Sequence, residues 1–114
     1  MIRVPFKPRW RDAMLNGDKV CTTRTKPFGR THDMFEVFGT TFRITYVSQI
    51  FLWLVAKQWY QDEGCKSPEE FEQVWKALHP RRGFDPNQKV WLHRFVRVYD
   101  GIMVEQYVKL KGGP

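Results

Sequence analysis

The sequence predicts a small α+β domain, and three observations carry that prediction. Its 114 residues suit one domain and are too few for two. Extended segments rich in alternating apolar and aromatic side chains occur at Thr41 to Gln49 and Val90 to Tyr99. Around them lie stretches with helical spacing and clear start or stop signals.

Arg9 to Asn16 reads as a short helix, because Trp10, Ala13 and Met14 recur at helical spacing and Gly17 stands where a helix ends. Thr22 to Arg24 is extended, so Thr22 and Arg24 share one face while Thr23 points the other way. Gly17-Asp18 is a turn dipeptide whose bend can swing the Lys19 amine back toward the Thr22 hydroxyl. Thr25 to His32, with Pro27 and Gly29, has no period and forms a loop. Met34 to Phe38 and Thr41 to Gln49 are extended, with the hairpin turn at Gly39-Thr40. Leu52, Val55, Ala56 and Trp59 favour a helix from Leu52 to Tyr60, which Gly64 would stop.

The clearest start signal follows: Ser67 as N-cap, Pro68 at the first helical position and Glu70 closing a Ser-x-x-Glu capping box. Phe71, Val74, Trp75 and Leu78 form the apolar stripe of this helix, and Pro80 ends it. Pro80 to Gln88 is a polar loop leading to the strand Val90 to Tyr99. Residues 1–100 are thus expected to form the domain, and 101–114 to add an edge strand from Ile102 to Leu110 and a flexible Gly112-Gly113-Pro114 tail.

Charge and cysteine usage narrow the function classes. Lys plus Arg number 19 against 12 Asp plus Glu, a net +7 that favours polyanionic partners. The cations crowd the first thirty residues, whereas Asp62, Glu63, Glu69, Glu70 and Glu72 cluster later. Cys21 and Cys65 lack CxxC partners, which speaks against a zinc site or a disulfide framework and for a reducing, cytoplasmic compartment. His32, His79 and His93 lack metal-ligand spacing, and His79 and His93 are expected to be structural hydrogen-bonders. The longest apolar run, Ile50 to Ala56, is about a third of the roughly 20 residues that span a bilayer, and the N-terminus has no apolar signal core.

The octapeptide Gly17 to Arg24 gathers an amine, hydroxyls and a guanidinium at a helix-to-strand junction. Its pattern Gly-x-Lys-x-x-Thr-x-Arg, met by Gly17, Lys19, Thr22 and Arg24, resembles the signature of the ASCH superfamily. Phe6-x-Pro8, Asp33-Met34-Phe35 leading to Gly39-x-x-Phe42, and Glu63-Gly64-x-x-Ser67-x-Glu69-Glu70-Phe71-x-x-x-Trp75 with His79-Pro80 are similar to the same layout, over residues 5 to 98. The resemblance implies a PUA-like small mixed β-barrel of five to six strands with two or three flanking helices.

One branch of that superfamily hydrolyses N4-acylated cytidines without metal or other cofactor, and resemblance to it implies Lys19, Thr22 and Glu63 as catalytic residues. Thr22 would attack the amide carbonyl, Lys19 would accept the hydroxyl proton, and Glu63 would orient Lys19 or protonate the leaving amine. A lysine accepts a proton only in its neutral form, which burial favours and an adjacent ionised glutamate opposes. Arg24 is a candidate oxyanion donor, Lys26 a further substrate-binding cation, and Phe28 either stacks on the pyrimidine or anchors its loop. Trp59 and Trp75, on helical apolar stripes, belong to the core. The expected partner is a pyrimidine nucleoside, with RNA binding, or an RNA-cleaving variant, as the alternative. The chain is longer than the compact enzymes of that branch at 79 to 90 and at its C-terminus, which bears on substrate access.

Overall fold

Pro8 opens the first helical stretch, where its fixed φ and missing N–H are tolerated. Pro8–Trp10 is a 3-10 turn that runs into α1, Arg11–Asn16, and Gly17 terminates it in the left-handed region at φ +86°. The structure, a computed structural model, describes residues 1–99 and the backbone of the two-residue segment Ile102–Met103. After Gly17 the chain turns back, Lys19 N–H donating to Ala13 O at 2.9 Å, and enters β1, Cys21–Arg24.

A loop over residues 25–33 leads to the hairpin of β2, Met34–Val37, and β3, Thr40–Phe51. Phe38 at φ +56° and Gly39 at φ +69° make its turn, one residue earlier than Gly39-Thr40. Two consecutive positive φ values match the right-handed twist of a hairpin, at a cost for the phenylalanine. β3 bulges between Ile44 and Tyr46, which bends the strand. It passes directly into α2, Leu52–Gln58, which buries Leu52, Val55 and Ala56. A tight turn then leads to α3, Pro68–Leu78, capped as its sequence dictates: Ser67 Oγ accepts from Glu70 N–H at 3.1 Å.

β4, Lys89–Tyr99, forms the spine of the sheet, pairing with β1 on one side and β3 on the other, all antiparallel. The strand order is β1-β4-β3-β2, and β5, Ile102–Met103, pairs with the end of β4. Phe35, Phe42 and Phe95 interlock with Phe6 inside the curl, with ring centroids 5.4 to 6.0 Å apart. Burial of each such side chain stabilises by about 1.5–3 kcal/mol, and edge-to-face rings add to this.

The helices and the mixed α+β class agree with expectation, but the strand count does not. Four strands and the two-residue β5 stand where five to six were expected, and the sheet is a curled half-barrel. Among the described residues its edges carry only single bridges beyond the ladders, Ile2 with Phe35 beside β2 and Lys19 with Glu63 ahead of β1. The 25–33 segment, interrupted by Pro27 and Gly29, cannot present the regular N–H row that closure requires. Of the expected edge strand from Ile102 to Leu110, the first two residues pair with β4. Residues 104–114, with the expected Gly112-Gly113-Pro114 tail, lie outside the described residues.

Candidate active site

The turn between α2 and α3 is stapled to the start of β1. Val20 and Cys21 N–H groups donate to Asp62 O at 2.8 and 3.1 Å, and Arg94 of β4 donates to Asp62 Oδ2 at 2.9 Å. The next residue, Glu63, is thereby fixed beside Lys19. Gly64 makes the close approach possible: its φ is +89°, and a Cβ there would sit 3.0 Å from Trp10 Cζ3 and 3.1 Å from Lys19 Cβ.

Lys19 and Glu63 are 3% and 5% exposed, so both charges are removed from water. Lys19 Nζ donates to Glu63 O at 2.8 Å and to Glu63 Oε1 at 3.3 Å, and lies 4.5 Å from the centre of the Trp10 ring. The other carboxylate oxygen, Oε2, accepts from Thr23 Oγ1 at 2.6 Å and from Cys21 Sγ at 3.5 Å. Cys21 and Thr23 share a face of β1 by strand alternation, which is why both reach one acid. Burial first, then the charge of Glu63, pushes the Cys21 thiol well above its ordinary pKa, so it remains a protonated donor. Burial likewise raises Cys65 to about 11.

On the opposite face, Thr22 Oγ1 accepts from Arg24 Nε at 2.9 Å. The guanidinium lies between Phe6 and Phe28, 4.9 Å from each ring centre, and its Nη2 donates to Pro5 O at 2.6 Å. Burial lowers the Arg24 pKa from its ordinary value, and the charge of Glu63 opposes the shift. Behind them His93 holds the loop to the strand: its Nε2 accepts from Phe28 N–H at 3.1 Å, and its Nδ1 lies 3.2 Å from Thr22 O. This assigns the neutral ring with hydrogen on Nδ1. Burial is the main cause lowering the His93 pKa below 6.5; the bond to Thr22 O opposes it and the Arg24 charge assists it.

A cavity of about 560 Å³ opens on both groups, and all six residues expected at the site, Lys19, Thr22, Arg24, Lys26, Phe28 and Glu63, line it. Phe28 is half-buried, and Lys26 is exposed at the rim. α3 and the His79 that follows it contribute a wall of Phe71, Trp75 and His79, whose rings stack at 6.2 and 4.1 Å. The amine and acid meet as the sequence implied, but the hydroxyl joined to them is that of Thr23, whereas Thr22 turns to Arg24. Sequence reasoning missed Thr23 because the alternation along β1 separates the two threonines without revealing which face Glu63 approaches. Trp75 is core, as its stripe predicts, yet it also lines the cavity, and its buried Nε1 has no acceptor among the described residues. Among these residues no group of three or more His, Cys, Asp or Glu could hold a metal ion, and no helix is long and apolar enough to cross a membrane.

No protein-family model and no curated protein sequence matches the chain. Solved structures do. An ASCH domain from Lactobacillus crispatus superposes with a TM-score of 0.59 at 14% identity, over 85% of this chain and 77% of that one. A protein of Enterococcus faecalis from the DUF984 family superposes with a TM-score of 0.59 at 20% identity, over 81% of this chain and 72% of that one. The chain therefore has the ASCH-domain fold, a PUA-like arrangement of curled sheet and flanking helices.

Proposed function

We propose that this chain is an amidohydrolase that removes the acyl group from the exocyclic amine of N4-acylated cytidines. The observation that carries the reading is the buried chain of contacts from Lys19 through Glu63 to Thr23, with 3.3 and 2.6 Å between the polar atoms, at the edge of one cavity. The cavity volume of about 560 Å³ falls within the roughly 300–1,000 Å³ typical of small-molecule sites, and its aromatic walls suit a planar base.

In this reading Thr23 Oγ attacks the acyl carbon while its proton passes to Glu63 Oε2. The oxyanion so formed is stabilised by the Lys19 ammonium. Collapse breaks the C–N bond, N4 takes the proton from Glu63, and cytidine leaves with a free amine. Water, deprotonated by Glu63, then hydrolyses the threonyl ester, releases the carboxylic acid and restores the hydroxyl. The family resemblance assigns the attack to Thr22. That hydroxyl lines the same cavity, but its partner is Arg24 and neither Lys19 nor Glu63 hydrogen-bonds it, so Thr23 is the better-coupled nucleophile.

The test is conversion of N4-acetylcytidine to cytidine, followed by ultraviolet absorbance, for Thr22→Val and Thr23→Val, which keep shape and remove the hydroxyl. Loss of about 100-fold or more in kcat with Thr23→Val, and a smaller loss with Thr22→Val, is the expected result. The reverse order moves the attack to Thr22, and no turnover by the unaltered protein ends the amidohydrolase reading. A second reading, a non-catalytic RNA-binding module, is favoured by the exposed Lys7, Arg9, Lys26 and Arg30 on the segments around the cavity and by the net charge of +7. It predicts RNA retention that falls steeply with salt and no turnover.

A further inference from the structure

The charges lining the cavity do not balance for a neutral nucleoside. Lys7, Lys19, Arg24 and Lys26 face a single carboxylate, Glu63, and that carboxylate is already engaged by Lys19. Arg24 is the informative member. It is half-buried, it has no ion-pair partner among the described residues, and hydrogen bonds occupy Nε and Nη2 while Nη1 has none. Guanidinium groups withdrawn from water are normally paired with an anion, so one clamped between Phe6 and Phe28 in the lining of a cavity lacks its partner. Lys7 and Lys26 flank it on the exposed rim, also without ion pairs among the described residues.

We infer that the ligand of this cavity carries a phosphate monoester, as a cytidine mononucleotide does, and that Arg24 receives this group with Lys7 and Lys26. A guanidinium offers planar donors matched to phosphate oxygens, and two ammonium groups beside it answer a charge near −2 without demanding geometry. The aromatic walls take the base and the cationic rim takes the phosphate. The inference takes the cytidine-sized cavity from the preceding reading but not its chemistry.

Calorimetric titration of the unaltered chain with cytidine, cytidine 5′-monophosphate and an unphosphorylated cytidine-containing RNA tetranucleotide tests it. The mononucleotide binds at least about tenfold more tightly than cytidine at low salt, the equivalent of one charge-assisted contact. That ratio falls toward one in Lys7→Gln/Lys26→Gln, whose exposed positions do not endanger folding, and in Arg24→Gln. Equal affinity for cytidine and its monophosphate, or binding of neither, overturns the inference. Tighter binding of the tetranucleotide also overturns it, because the cations then serve a strand of diesters.

A parallel assay separates this inference from the enzymatic reading. Preference for the monophosphate without hydrolysis of either N4-acetylcytidine or its 5′-monophosphate sustains the inference and ends the amidohydrolase. Hydrolysis of both at equal kcat/KM, with equal binding, does the opposite.

Discussion

Lys19 Nζ donates to both the backbone carbonyl and the carboxylate of Glu63, at 2.8 and 3.3 Å, so one buried side chain ties the turn after α1 to the turn before α3. The same pair is a structural latch and the electrostatic centre of the proposed site. Removing one partner strands the other charge in a place from which water is excluded. Lys19→Met alone is therefore expected to destabilise the fold by about 3–5 kcal/mol, and Lys19→Met with Glu63→Gln by much less. Urea unfolding of the two variants measures this; equal losses would mean that the charges do not interact.

Gly64 is where backbone conformation and site geometry meet. Its positive φ strains any side chain, and the 3.0 and 3.1 Å approaches mean that Trp10 or Lys19 must give way by a few tenths of an ångström to admit one. Gly64→Ala should lower stability by about 1 kcal/mol or more, and displace Lys19 so that binding of cytidine weakens beyond the stability loss. Thermal unfolding and titration on one sample compare the two effects.

His93 supplies a pH dependence with a definite sign. Its folded pKa lies below 6.5, so between 6.5 and that lower value the unfolded chain binds more protons than the folded one. Stability contributed by the neutral ring is present above that window and is lost as pH falls through it. Protonation would also turn Nε2 from an acceptor into a donor aimed at the Phe28 N–H. Thermal midpoints measured from about pH 8 to about pH 5 should fall more for the unaltered chain than for His93→Gln, which carries no titrating group. Parallel curves would remove His93 from the account.

Neither cysteine should behave as a reactive thiol. Cys21 and Cys65 are both buried with raised pKa values, and Cys21 is held as a donor to Glu63. A thiol reagent at neutral pH is expected to label them only as fast as the protein unfolds. Cys21→Ser keeps a donor toward Glu63 and should retain most activity; rapid labelling of the native protein would contradict the burial.

Local signals in the sequence specified local structure well. Ser67, Pro68 and Glu70 marked the start of α3, Gly17 ended α1 in the left-handed region, and the alternation Thr22, Thr23, Arg24 on β1 gave the observed facing of each side chain. The hairpin was displaced by one residue because Phe38, not Thr40, accepts the second positive φ, a choice that bulky residues seldom make. Long-range geometry was less legible. Thr23 and Glu63 are forty positions apart, and their contact depends on Asp62 being anchored to β1 and β4, which no local period encodes. The family pattern brought Lys19 and Glu63 to notice and named Thr22 with them, whereas the hydroxyl that bonds Glu63 is that of Thr23. The strand count of five to six rested on the family resemblance alone, whereas residues 25–33, read as a loop from Pro27 and Gly29, are a loop pinned by His93 and add no strand.

The central claim is that a hydroxyl coupled to the buried Lys19–Glu63 pair attacks the acyl group. Acid quenching during turnover of N4-acetylcytidine, followed by fragment mass spectrometry, reads this directly. The account predicts one acetyl group on Thr23, absent in Glu63→Gln. Acetyl on Thr22 or on the Lys19 amine, or cytidine release with no acetylated residue under any quench, would contradict it.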